Sequence, residues 1–212
     1  MTLSQHLASH GIFSLWNVTH LNNLESLLSR GIVCRNVARQ LQGFVDISHP
    51  RVQDRRHTTR DVTQGIVFEP HAHVPLFFAD NTPMLYVTSS NDAQVILLEI
   101  STQVADAPGV VFSDGNIAAS DHCLYTDAND LARLAWGIVK SRQPAFSKEW
   151  KRKRSAEVLV PQGCSATLFT RVHVQAAVVN GTPVADVARR IVASSGHGHI
   201  SVRMDLTPQG VS

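Results

Sequence analysis

A mainly apolar segment, QVILLEI at residues 94–100, limits the possible folds of this chain more than any other feature. A run this apolar predicts a strand in the middle of a sheet, buried on both faces. Shorter strand candidates lie at 12–18 (IFSLWNV), 44–48 (FVDIS), 74–79 (VPLFFA) and 158–160 (VLV). They lie among segments with helical spacing, one of which predicts a helix over 127–139. Because helices and strands do not alternate strictly as βαβ units, the sequence predicts an α+β fold rather than a doubly wound sheet.

The bulk composition describes a single globular domain over residues 1–212, with 43% hydrophobic and 17% charged residues and a formal charge of +2. Attraction to nucleic acid must therefore come from local clusters. The cysteines Cys34, Cys123 and Cys164 form no C-x-x-C pair, which argues against a zinc or disulfide framework and for a reducing compartment. The N-terminus lacks the features of a signal peptide, and no apolar run approaches the roughly 18 residues that span a bilayer. We expect a soluble cytoplasmic protein with no membrane partner.

A basic segment precedes an isolated carboxylate in the sequence KEWKRKRSAEVLVP, residues 148–161. Glu157 stands at the start of the predicted strand, where loss of hydration makes the pKa and orientation of a carboxylate tunable. The residues ahead of it offer a binding surface for phosphates. The alternative is a solvated charge run before an edge strand, with Glu157 facing outward. The candidate phosphate-binding cluster consists of Lys148, Trp150, Lys151, Arg152, Lys153 and Arg154.

A predicted strand-to-helix turn places polar residues together near the N-terminus. Thr19 has the character of a helix N-cap, and Gly31 ends the predicted helix. Side chains and free amides at such a turn commonly hold a ligand, which makes Asn17, Thr19 and His20 candidates. His20 has two equally supported roles, orienting a ligand or capping the helix.

Two other polar segments admit both a functional and a structural explanation. Arg51 and Arg55 share a face if the segment after Pro50 is helical, and their guanidinium groups suit phosphates or carboxylates. A solvated helix face explains them equally. His71 and His73 have the spacing of a metal-binding pair, but no third ligand lies nearby, so no metal site is predicted.

Several segments, taken in order, resemble the DarT family, the DNA ADP-ribosyltransferase toxins of bacterial toxin–antitoxin systems. The resemblance runs from about Trp16 to Val160. The segments are LWNVTHLNNLESLLSRGI, the arginine pair in VQDRRH, VPLFFADNTPMLYV, and SDGNIAAS followed by KRSAEVLV.

This resemblance implies an ADP-ribosyltransferase-like fold, a split mixed β-sheet with flanking helices and an NAD cleft. It implies transfer of ADP-ribose from NAD to a nucleobase of single-stranded DNA, without a metal. By position, Glu157 matches the catalytic glutamate, and Arg55 matches the arginine that contacts NAD and the reacting centre. The residues that match the nicotinamide and ribose end of the NAD site are Asn17, Val18, Thr19 and His20.

In such a transfer, one carboxylate can both stabilise the developing charge and accept a proton. Positive charge develops on the sugar as nicotinamide leaves, and a nearby carboxylate stabilises that charge. The same group can accept the proton that the base nitrogen loses. The base must be unstacked, so we expect a single-stranded substrate whose phosphates contact the basic cluster and whose bases stack on Trp150. The resemblance also implies a macrodomain antitoxin as a partner that removes the ADP-ribose.

Two alternatives follow from the same residues. Phosphate contacts carry little information about the type of nucleic acid, so RNA, or a protein, is a possible acceptor. A non-catalytic nucleic-acid-binding module on this fold is the other alternative, because Asn17 stands where the resemblance leads us to expect histidine.

Overall fold

The computed structural model describes residues 1–56, 60–61, 67–143 and 147–212, with the backbone alone at 60, 61 and 67. Its strands are β1 (Ser14–His20), β2 (Ile32–Val33), β3 (Arg60–Asp61), β4 (Val67–Phe68), β5 (His73–Phe77), β6 (Val95–Ser101), β7 (Val111–Ser113), β8 (Leu124–Tyr125), β9 (Glu157–Pro161), β10 (Gly163–Cys164), β11 (Phe169–His173), β12 (Val178–Val179), β13 (Thr182–Pro183), β14 (Ser201–Arg203), β15 (Leu206–Thr207) and β16 (Gly210–Val211). Its α-helices are α1 (Leu3–Ser9), α2 (Leu24–Arg30), α3 (Arg35–Ala38), α4 (Pro50–Arg56), α5 (Pro83–Asn91), α6 (Trp136–Val139), α7 (Lys148–Arg154) and α8 (Val184–Ser194).

Eight of these strands form one sheet in the order β14-β11-β6-β1-β5-β9-β7-β8. The pair β11–β14 is parallel and the other pairs in this sheet are antiparallel, so the sheet is mixed. The strand expected at 94–100 is β6, which lies inside the sheet between β11 and β1 and is buried from Val95 to Ile100. The predicted α+β fold with a mixed sheet is confirmed.

The sheet is split between β1 and β5. Strand β1 pairs with β6 along its whole length, and β5 does the same with β9. Among the described residues, however, β1 and β5 share a single registered pair, Trp16 opposite Phe77. The two strands therefore diverge on both sides of this pair, and space opens at each end of the junction.

The two faces of the sheet carry separate hydrophobic clusters, because successive strand residues point to opposite sides. Leu98 and Ile100 belong to the larger cluster, which also contains buried residues of α1, α2 and α8. Leu97 belongs to the smaller cluster on the other face, with Val18 and with Leu85 of α5. Helices thus flank both faces. Across the described part of the chain, no helix combines the length and the apolar character needed to cross a bilayer.

One sequence-based expectation about the first helix is wrong in detail. Strand β1 continues through Thr19, and His20 rather than Thr19 is the N-cap of a short 3₁₀ helix, Leu21–Asn23, that leads into α2. The helix ends at Gly31 as predicted.

The long helix that the spacing of residues 127–139 suggests is also absent as one piece. A 3₁₀ helix at Ala128–Arg133 and the short α6 replace it, with Leu134 in an extended conformation between them. This break places the Trp136 ring between His10 and Phe78, a packing interaction that a continuous helix does not provide.

We predict that Gly31 is required by the close approach of β10. Gly31 has φ +82°, and a Cβ atom there lies 2.2 Å from the Cys164 carbonyl oxygen. Gly43 has φ +77° but no atom within 4 Å of its Cβ position, so it is the matched control. Both alanine variants bear positive-φ strain of about 1–3 kcal/mol, and Gly31, with ψ −178°, lies in a region that essentially only glycine adopts. We expect Gly31→Ala to lose a further 1–3 kcal/mol, about the cost of overpacking, as measured by urea unfolding. Equal losses would contradict this explanation.

Candidate active site

A cavity of about 660 Å³ lies at one end of the junction between β1 and β5. Strand β1 contributes Asn17, Val18 and Thr19 to its lining, and residues of β5 face them. Residues of α3, α4 and the segment between these helices complete the wall. The volume falls within the roughly 300–1,000 Å³ of pockets that hold small molecules and cofactors. The split in the sheet thus creates a ligand-sized cleft.

A buried ion pair stands at this cavity. Glu157 is the first residue of β9, and its side chain has no exposed surface. Arg56, the last residue of α4, lines the cavity and donates two hydrogen bonds to the Glu157 carboxylate, each of 3.1 Å. The backbone N–H of Ile117 approaches Glu157 Oε1 at 3.4 Å. A carboxylate without solvent contact requires such partners, because an unpaired buried charge is strongly destabilising.

The local sequence explains the position of Glu157. The alternation along β9 sends Val158 and Val160 into the larger hydrophobic cluster, so Glu157 points to the opposite face. The Glu157 backbone N–H donates to Ser113 Oγ at 3.3 Å, and the Ser113 hydroxyl donates to the Gly115 carbonyl at 2.6 Å. This anchors the SDGNIAAS segment, which brings the Ile117 N–H to the carboxylate.

The arginine of this pair is Arg56, not Arg55. Adjacent residues on a helix point in directions about 100° apart, so one of the two arginines faces the protein. Arg56 is buried and shares a face with Val52, four residues earlier, which also lines the cavity. Arg55 and Arg51 are exposed. The apolar residue at position 52 is the sequence signal that identifies Arg56.

The structure separates the four residues predicted for the NAD site. Asn17, Val18 and Thr19 line the cavity, and Asn17 Nδ2 donates across the split to the Pro75 carbonyl at 3.3 Å. His20 is outside the described lining. Its Nδ1 accepts a hydrogen bond from the Asn22 N–H at 3.1 Å. Of the two roles that the sequence leaves open for His20, the structure shows the helix cap.

The basic cluster on α7 is divided between surface and interior. Lys148 and Lys151 are exposed, and Trp150 is half-buried. Lys153 forms an ion pair with Glu149 at 2.7 Å. Of the six residues in the candidate cluster, Lys148 and Lys151 are therefore the exposed cations. Trp150 and Lys153 are only partly exposed.

Two members of this cluster are mainly structural, which corrects their prediction as phosphate ligands. Arg152 contacts Asp114 at 3.2 Å and Asp121 at 3.3 Å. Arg154 is buried, donates from Nε to Asn81 at 3.2 Å, and donates to the carbonyl groups of residues 141 and 143. Helix periodicity turns Arg154 toward the protein, because residues 150 and 154 share a face that is directed inward. Arg152 lies on a different face, where its two aspartate partners hold it.

The paired histidines at 71 and 73 both line the cavity but bind protein groups. His71 is buried with Nε2 at 3.2 Å from Gln53 Oε1, and His73 Nδ1 lies 2.8 Å from the Glu69 carbonyl. Burial lowers the pKa of His73. Within the described ranges, no group of three or more His, Cys, Asp or Glu side chains is arranged to hold a metal ion.

A second buried charged cluster lies on the same face of the sheet. His173 Nδ1 is 2.8 Å from Asp205, and its Nε2 is 3.2 Å from Glu99. Two carboxylate acceptors require two N–H donors, so the charged imidazolium fits this site. Burial lowers the pKa of His173, but the hydrogen bonds to both carboxylates outweigh burial and raise it overall. Burial also raises the pKa of Glu99, but hydrogen bonds from His173 and Ser14, among others, lower it to about 2.

Comparison with known proteins gives a family match over most of the chain. The family described as "DarT: ssDNA thymidine ADP-ribosyltransferase" matches residues 16–205. A protein of Escherichia coli O127:H6 (strain E2348/69 / EPEC), named DNA ADP-ribosyl transferase, is 28% identical over 172 residues, which cover 73% of this chain and 77% of the relative.

Two solved structures have the same fold. Thermus sp. 2.9 DarT in complex with ADP-ribosylated ssDNA superposes with a TM-score of 0.75 at 21% identity, covering 92% of this chain and 94% of the other. Thermus sp. 2.9 DarT in complex with NAD+ superposes with a TM-score of 0.69 at 20% identity, covering 92% and 96%.

The raised pKa of His173 predicts a pH-dependent contribution to stability. Charged His173 stabilises the folded protein fully below the unfolded pKa of about 6.5, and this contribution is lost as the pH rises through the raised folded pKa. We therefore expect wild type to exceed His173→Gln in free energy of unfolding by more at pH 6 than at pH 9, measured by urea titration. A difference that does not change with pH would contradict the charged state.

Proposed function

The chain belongs to the DarT family of ssDNA thymidine ADP-ribosyltransferases, and we propose that Glu157, held by Arg56, is its catalytic carboxylate. The observation that supports this assignment is the buried bidentate ion pair at the wall of the 660 Å³ cavity. The reaction moves an ADP-ribosyl group from NAD to a thymine base of single-stranded DNA. The same family description favours DNA over the RNA or protein acceptors that the sequence left open.

The residues of the cavity fit NAD. Its pyrophosphate is anionic, and the lining includes the cations Arg35 and Arg56. Arg35 contacts Asp46 at 2.8 Å, yet its buried Nε–H has no hydrogen-bond partner among the described residues and offers a donor to a ligand. We assign the pyrophosphate to these arginines. We assign the nicotinamide and ribose end to the β1 residues that line the cavity, which are Asn17, Val18 and Thr19.

NAD supplies the ADP-ribosyl group, and its bond to nicotinamide breaks as the bond to the base forms. In our proposal Glu157 faces the developing positive charge and accepts the proton of thymine N3, which is the ring N–H of this base. The carboxylate has no exposed surface in this arrangement. Arg56 must therefore release at least one of its two contacts for Glu157 to meet a substrate. No described group of metal ligands is involved in this assignment.

The DNA must reach this site as a single strand, because a paired thymine has its N3 proton in a base pair. Lys148 and Lys151 are the exposed cations of α7, which precedes Glu157 by a short turn. We propose that these two lysines contact the phosphates and that half-buried Trp150 offers a partial stacking face. Lys153 shares its charge with Glu149 and is assigned a smaller part.

We further propose that the enzyme is a toxin of a toxin–antitoxin system that acts in the cytoplasm, where DNA and NAD meet. Modified thymine bases lose the N3–H that pairs with adenine, which explains how the reaction harms a cell. A macrodomain protein that removes ADP-ribose is the proposed antitoxin. Growth of bacteria that express the chain, with and without such a protein, tests this proposal: growth arrest that the macrodomain does not relieve would contradict it.

We predict that Glu157→Gln strongly slows transfer and leaves a folded but less stable protein, because the neutral amide no longer balances the buried Arg56 charge. The amide keeps the shape and one hydrogen-bond acceptor for Arg56 but cannot take a proton. We expect the rate to fall by about 10²- to 10⁴-fold, the usual contribution of a general base, with NAD binding retained. Intact mass of a thymidine-containing oligonucleotide after incubation with NAD measures the transfer, and thermal unfolding checks the fold. A folded variant with wild-type turnover would exclude Glu157.

We predict that Arg56→Ala impairs both activity and stability more than Arg55→Ala, its neighbour on the exposed side of α4. Removing Arg56 leaves a buried carboxylate unpaired, which costs about 3–5 kcal/mol of unfolding free energy. It also removes preorganised donors, each worth about 10²- to 10³-fold in rate. Arg56→Lys retains the charge but lacks the bidentate geometry, so it supplies a folded variant with reduced transfer. If Arg55→Ala reduced transfer and stability more than Arg56→Ala, the arginine that acts with Glu157 would be Arg55.

A further inference from the structure

A second, smaller cavity occupies the other end of the β1–β5 junction. Its volume is about 260 Å³, and residues just before and within β1, residues after β5, and residues around 139–142 line it. Trp16 and Phe77, the registered pair of the junction, separate it from the larger cavity. Phe77 also pairs with Glu157. Since neighbouring strands lie about 4.8 Å apart, the backbone of Glu157 is about 10 Å from that of Trp16.

The lining combines aromatic surface with cations. Phe13 is 71% exposed, and the half-buried Trp16 also lines this cavity. Lys140 donates to the His10 carbonyl at 3.0 Å, and Arg142 contacts Asp80 at 2.8 Å with most of its side chain exposed. Aromatic rings next to cations are the combination with which proteins bind the bases and phosphates of single strands.

The Trp16 ring is held in position from behind. Its centroid lies 5.6 Å from that of the His173 ring, which its two carboxylate partners fix in place. A charged imidazolium beside an indole adds a favourable cation–π contact. The segment around residue 142 is also held in place. Arg154 donates to the carbonyl groups of residues 141 and 143, and Asn81 donates to the Ser141 carbonyl at 3.1 Å. The cavity is therefore preformed.

We propose that this second cavity binds the nucleobase next to the modified thymidine, with Trp16 and Phe13 as the stacking surface and Lys140 and Arg142 near the phosphates. The inference rests on the proposed function, since it assumes a single-stranded DNA substrate. Its volume is below the roughly 300 Å³ at which pockets for drug-sized ligands begin, and it suits one base. Arg56, which lines the larger cavity, is not among the described residues that line this one, so the base held here is a neighbour of the reacting one.

The test combines protein variants with abasic DNA. The substrates are oligonucleotides with a single thymidine and an abasic site directly 5′ or 3′ of it, and intact mass gives KM and kcat for transfer. With wild type we expect an abasic site on one side to raise KM by about 5- to 150-fold, the range for loss of one stacked base. With Trp16→Ala we expect the same high KM on intact and abasic DNA, since the interaction is already lost.

Phe13→Ala is a second variant for the case that Trp16→Ala does not fold, because Phe13 is exposed. In Phe13→Ala we expect the abasic site to raise KM by less than in wild type. Val178→Ala is the control, an exposed apolar residue that lines neither cavity among the described residues. The proposal is overturned if wild type shows no abasic effect on either side, if the effect persists in both aromatic variants, or if these variants raise KM for NAD instead. Absence of any transfer by wild type to intact DNA would instead refute the proposed function.

Discussion

One backbone pairing, Trp16 with Phe77, lies between the two cavities of this sheet. It joins two well-paired blocks of the sheet, β14-β11-β6-β1 and β5-β9-β7-β8, and the strands diverge on both sides of it. Residues of both strands line the larger cavity on one side of the pair, and residues 14, 78 and 79 line the smaller cavity on the other side. The two cavities lie on either side of this single point of contact, and Phe77 is also paired with Glu157 in the next strand.

Buried charge is the second constraint, and it is balanced in two places on one face of the sheet. Glu157 has Arg56 as its counter-ion beside the larger cavity. Glu99 is paired with Arg171 and His173 behind the smaller one. Each carboxylate is stable in the interior only because a cation with suitable geometry meets it. The carboxylate that we propose as catalytic is thus also a buried charge that the fold must balance.

Sequence patterns failed where a distant side chain competed with local propensity. The strand-like segment at 44–48 is not a strand, since the Asn23 amide accepts from the Val45 N–H at 2.9 Å and donates to its carbonyl at 2.8 Å. These two bonds satisfy backbone groups that a neighbouring strand would otherwise bind. Arg154 looked like part of a solvated basic run, but the carbonyl groups around residue 142 bind it inside the protein. Neither partner is adjacent in sequence.

The sequence by itself determined the α+β class, the central strand at 94–100, the helix stop at Gly31, the order of motifs that resembles DarT, and the place of Glu157 at the start of a strand. These features depend on hydrophobic period, local backbone preference and residue order, which are properties of neighbouring residues. The tertiary structure alone decided that Arg56 contacts Glu157, that His20 caps a helix, and that the sheet opens beside Trp16. The physical reason is that side-chain direction and strand divergence depend on contacts between residues far apart in the chain, such as positions 56 and 157.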